Sequence, residues 1–218
     1  MSKSRAPLLL SLLLAVGCAD ARGRFDDFQA RLAQIGDAGT DARADDSDGG
    51  PCVPPDPGVV GGPALLALDT NLIPGDPVLF LGTIDTPALD GTTAVHFAYH
   101  AVDAMDRRTL VGAALEVGPY PLHDGVLTAD IAESTLDGRA NPLLYGTPLD
   151  SAMTLHGHIC GVKTYYCGTL DGETYGLLSG AFTGHFGITL LASPDAVPAQ
   201  PRFGCDAADI APVLSPNP

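Results

Sequence analysis

The chain has no tryptophan, and only 17% of its residues are charged. Basic side chains are the scarcest: 11 Lys and Arg stand against 26 Asp and Glu, a formal net charge of −15. Phosphate backbones are held by stripes of Lys and Arg, so no nucleic-acid partner is expected. The same imbalance disfavours docking on anionic lipid and reads as a solubility term. No apolar run reaches the roughly 20 residues that a membrane-spanning helix needs. A sugar-binding platform would have to be built from tyrosine, since tryptophan is missing.

Catalytic signatures are missing as well. There is no H-E-x-x-H, no S-x-x-K and no phosphate loop. Ser179 lies in GLLSGA, which is not G-x-S-x-G. No fingerprint for a cofactor is present, and none is expected. Redox-active C-x-x-C is absent, so the cysteines read as structural. Many carboxylates are available, but spacing singles out no catalytic pair.

The chain does carry 26 Gly and 19 Pro, which suits many short strands joined by turns. At its start, Lys3 and Arg5 precede the run LLLSLLLAVGC, residues 8–18. A basic start, a short apolar core and small residues at its end make a secretory signal peptide. The ending Leu14-Ala15-Val16-Gly17-Cys18 resembles a bacterial lipobox. The resemblance implies cleavage between Gly17 and Cys18, with diacylglycerol joined to Cys18 through a thioether. Ala15 stands where that family favours Leu, and Ala15-Val16-Gly17 also fits the rule for free secretion with the same cut.

Cysteine parity favours the lipid. There are five cysteines: Cys18, Cys52, Cys160, Cys167 and Cys205. Lipid on Cys18 leaves four, which can pair in an exported chain. Each buried CH₂ contributes about 0.8 kcal/mol, and several acyl chains together make a stable anchor. The membrane, reached through that lipid, is thus an expected partner. Ala19 rather than Asp follows the cysteine, which by the same resemblance points to the outer membrane of a bacterial cell envelope.

Five segments follow along the chain: a signal peptide (1–17), a lipidated N-terminus (18–35), an acidic linker (36–60), a β-domain (61–195) and an irregular tail (196–218). In the second segment Ala21, Phe25, Phe28, Leu32 and Ile35 recur at helical spacing, and Gly36 marks the stop. That face would lie on the membrane or pack on the β-domain. The linker is rich in Asp, Gly and Pro and has almost nothing to bury, so it is expected to stay disordered. Its Asp45-Asp46-Ser47-Asp48-Gly49 fails the calcium-loop pattern and reads as a solvated spacer.

From residue 61, eight strand candidates appear: 65–72, 78–84, 92–102, 109–117, 126–132, 153–160, 164–169 and 177–191. The clearest is TTAVHFAYHAV, where Val95, Phe97, Tyr99 and Ala101 fall on one face. Separators such as Asp124-Gly125, Asp137-Gly138 and Asp171-Gly172 are turn chemistry. The expected fold is all-β: an antiparallel sandwich of the jelly-roll or immunoglobulin-like kind. The stretches AVDAMDRRTLVGAALEV, RANPLLYG and YYCGTLDG also resemble uncharacterised lipoproteins of myxobacteria. That resemblance implies a secreted β-sandwich behind an acidic linker and implies no activity.

Three kinds of site remain to weigh. Cys160 and Cys167 flank GVKTYY across an expected hairpin, which suggests the pairs Cys160–Cys167 and Cys52–Cys205. His156 and His158 share a strand face, as a zinc site would require, against the plainer reading of surface histidines. On that strand Leu155 and Ile159 should face the core, leaving the histidines outward. Tyr165, Tyr166 and Tyr175 are the one tyrosine group dense enough for a sugar, against simple strand packing. The overall expectation is an anchored binding or structural module whose partner is a cell-surface glycan or protein. A lectin-like module and a metal-dependent hydrolase using the strand histidines are the alternatives.

Overall fold

A computed structural model describes residues 52–205. Lipidation at Cys18, the Gly17–Cys18 cleavage and the short helix all fall outside these residues. So does the linker up to residue 51. Among the described residues, no helix is long and apolar enough to cross a membrane.

The strands are β1 (Gly61–Thr70), β2 (Val78–Asp85), β3 (Ala88–Leu89), β4 (Thr92–Val102), β5 (Leu110–Pro121), β6 (Val126–Leu136), β7 (Leu149–His158), β8 (Tyr165–Tyr175) and β9 (Gly180–Leu190). Every pairing is antiparallel. Apart from β2–β3 and β5–β6, sequence neighbours pair antiparallel, and β9 returns to pair with β1. The ladder runs β5-β4-β2-β1-β9-β8-β7-β6, and two-residue β3 adds to one end of β4. The ladder is continuous and the sheet curls on itself, left open between β5 and β6. Those two strands are joined by a tight turn but form no ladder.

Alternation explains the curl's inner face. On β4, Val95, Phe97, Tyr99 and Ala101 are buried, while His96, Ala98 and His100 are only partly so. They join Leu127, Leu155, Leu170, Phe186 and Ile188 in one core. Glycines let the aromatic rings in. A Cβ on Gly168 would come within 2.6 Å of Phe186, and one on Gly172 within 2.7 Å of Phe182. Asp171-Gly172 therefore sits inside β8, and the glycine provides close approach where a turn was expected.

β1 has no alternation: Ala64, Leu65, Leu66, Ala67 and Leu68 are all buried. Both of its faces are covered, as such an uninterrupted run requires. Leu66 and Leu68 face the core. Leu65 and Ala67 join Leu79 and Val102 in a second cluster, packed against Leu191, Val197 and Phe203 of the segment after β9.

The disulfides differ from the expected pairs. Cys52 bonds Cys160 and Cys167 bonds Cys205, with Cα separations of 5.0 and 5.4 Å. The β7–β8 hairpin forms nonetheless, with His158 opposite Cys167. Cys160 lies two residues beyond the end of that ladder, out of reach of Cys167 but beside Cys52. The expectation erred in letting the hairpin dictate the bond.

The first bond also corrects the linker's end. Residues 52–60 are fastened to the sheet. The Val53 carbonyl accepts from Gly161 N–H at 2.8 Å, and the Pro55 carbonyl from the Thr93 hydroxyl at 2.7 Å. The Thr86 hydroxyl exchanges hydrogen bonds with the backbone of buried Val60. Composition favoured disorder here, but a disulfide and these bonds offset the entropy of ordering.

Candidate functional site

Where β5 and β6 fail to pair, the interior of the curled sheet opens into a cavity of about 290 Å³. This is near the lower end of the roughly 300–1,000 Å³ typical of small-molecule sites. Leu68, Val78 and Phe80 form one wall, and Leu149, Met153 and Phe182 face them. Leu72 and Leu143, each more than a third exposed, stand at the rim.

The local structure of β5 makes room. Tyr99 pairs with Leu115 and Ala101 with Val111, so extra β5 residues bulge out between those pairs. Gly112, in the left-handed region at φ 71°, begins the bulge and lies against Asp137. A second bulge, between Ile131 and Ser134, resets β6 so that Ser134 joins the lining.

Three polar residues of the lining form one cross-strand row, with Thr70, Thr135, Asp137 and Asn141 outside it. Ser134 pairs with Ser151, and Ser151 pairs with Thr174, across β6, β7 and β8. All three line the cavity. Ser151 is 7% exposed and lies on the inward face of β7, in register with Met153 and Leu155. Thr174 donates to the Leu178 carbonyl. Asp137 is the one charged residue in the lining, and its carboxylate caps the turn by accepting from Arg139 N–H at 2.9 Å.

An ion pair between a covered carboxylate and a half-exposed guanidinium holds the mouth. Asp103, 4% exposed, accepts from Arg139 Nε at 2.9 Å and lies 2.8 Å from the same guanidinium's second nitrogen. Met105 N–H and the Tyr145 hydroxyl also donate to it, at 2.9 and 3.2 Å. Backbone donation from Met105, with Arg139 and Tyr145, holds the carboxyl below its usual range. The loop after β4 is thereby clamped to the loop that carries Asn141 and Leu143 of the rim.

The residues singled out from sequence lie elsewhere. His156 is exposed, as the alternation required, and faces Asp171 at 3.2 Å. His158 is half-buried, and burial pushes its imidazole below the usual value. Its Nδ1 has no hydrogen-bond partner. The single group of three metal-ligating side chains among the described residues is Cys52, His158 and Cys160, with ligand atoms within 4.8 Å. Both sulfurs are joined to each other, so neither is a thiolate. His156 is not in that group.

Tyrosines 165, 166 and 175 do not share a surface. The Tyr165 hydroxyl donates to the Gly204 carbonyl at 2.7 Å, and its ring lies under Arg202. Tyr166 is 3% exposed and donates to the Gly161 carbonyl. Tyr175 sits at the far end of β8. The two neighbours serve packing and the tail.

The cavity was not among the sites expected from sequence. One signal was available: in Leu149-x-Ser151-x-Met153-x-Leu155, a hydroxyl occupies a core-facing position. No family model, curated protein or solved structure matches the chain.

Proposed function

We propose that the protein is exported, lipid-anchored at Cys18, and presents its curled sheet as a binding module for a small apolar ligand. The observation that carries the binding reading is the 290 Å³ cavity with its apolar walls. On this reading β1, β2, β4 and β5 act as one leaf of a sandwich, and β6 to β9 as the other. The ligand lies between them where the seam is open. Parity supports the anchor: the four other cysteines are consumed in two bonds, which leaves Cys18 for lipid. The pair Cys52–Cys160 fastens the start of the domain, so the preceding residues act as a tether between anchor and module. The address remains the bacterial cell envelope, at the outer membrane.

Cys18→Ser tests the anchor. The variant should leave the membrane fraction for the soluble fraction, or accumulate unprocessed. A variant that is processed normally and stays in membranes would refute it.

A further inference from the structure

We infer that the cavity takes an uncharged ligand with an aliphatic body and one neutral hydrogen-bonding group, a hydroxyl or carbonyl, received by Ser134 and Ser151. This deepens the binding-module reading and rests on it.

Two observations fix the chemistry. First, the walls are mainly aliphatic, so the body of the ligand is apolar. Second, Ser151 is nine-tenths buried, lies on the inward face of β7 and lines the cavity. An apolar ligand body covering this hydroxyl would strip it of water, and a ligand oxygen that meets it offsets that cost. Ser134 stands directly opposite on β6, so one oxygen between them can donate to one and accept from the other.

Charge then separates neutral from ionised ligands. No Lys or Arg lines the cavity. Arg139, the nearest cation in the adjoining loop, is already held by Asp103. A carboxylate would lose its water without gaining a counter-charge, and Asp137 would repel it. Free fatty acids in their anionic form are thus rejected, while alcohols, ketones and esters of similar length are accepted.

Titration calorimetry at pH 7.5 on the intact purified protein, with octan-1-ol and octanoate, decides this. Octan-1-ol should bind saturably, and octanoate at least about tenfold more weakly. Ser151→Ala should weaken octan-1-ol about fivefold to tenfold, the effect of one lost hydrogen bond. Ser134→Ala provides the same test from the other strand, should the first variant fold poorly. Ala114→Trp, at an exposed position of the lining, should block binding. Equal affinity for octanoate, or serine variants indistinguishable from the parent, would overturn the inference while leaving the cavity as a binding site. A neutral fluorescent probe, N-phenyl-1-naphthylamine, separates the two levels. If neither it nor octan-1-ol binds, the binding-module reading falls as well.

Discussion

Asp103 shows how much a single side chain organises at the mouth of this molecule. Its carboxylate is almost fully covered, yet it gathers a guanidinium, a phenol and backbone N–H groups. These partners favour the charged form and depress its pKa. A carboxyl depressed in the folded state contributes stability above its unfolded pKa, near 3.9, and that stability is lost as pH falls through the folded value. The melting temperature should therefore decline below about pH 4. In Asp103→Asn the protein should be less stable at pH 7 and the acid decline shallower, which thermal scans from pH 2.5 to 7 will reveal. An unchanged acid profile in the variant would mean that other carboxylates carry the transition. Asp106 is a control of the same kind on the surface: the Thr109 hydroxyl and backbone lower it to about 2. Sequence gave no hint of this clamp, because Asp103 and Arg139 are far apart along the chain and meet only when two loops fold over one end of the sheet.

Among the elements, the segment after β9 does the work of a strand without being one. Val197 and Phe203 cover the outer face of β1 and β2, and Cys205 fastens the segment to Cys167. Peptide mapping of the unreduced protein should recover Cys52–Cys160 and Cys167–Cys205. Recovery of Cys160–Cys167 would contradict the register described above. The chain-entropy model gives about 4 kcal/mol as an upper limit for the bond spanning 38 residues. Replacing Cys167 and Cys205 by Ser should lower the unfolding free energy by up to that amount, measured by urea titration. It should also release amide protection along β1, whose outer side chains lose their cover. The strand periods were legible, since an amphipathic strand repeats every two residues whatever it pairs with. β1 was legible as a strand but not as a two-sided one, because its second cover comes from residues more than 120 positions away.

For the whole molecule, the boundary between the proposed tether and the β-domain is the testable quantity. The Asp-, Ala- and Gly-rich residues 36–48 have little to bury, whereas Cys52 is bonded to the sheet. Limited proteolysis should cut first within 36–48 and leave a resistant fragment that begins near Cys52. Early cuts inside 61–195 would contradict that boundary. Sequence by itself determined the parity of the cysteines, the all-antiparallel β character and the inward side of β4 and β7. These follow from local rules: composition, counting, and the fixed period of a pleated strand. Only the tertiary structure decided which cysteines meet, that one sheet curls where two might stack, and that Ser134, Ser151 and Thr174 form a row. Those outcomes depend on register and on bulges at β5 and β6, where a shift of one residue exchanges inside for outside. The cavity exists because those bulges hold two edges apart, a relation between strands that no single stretch of sequence contains.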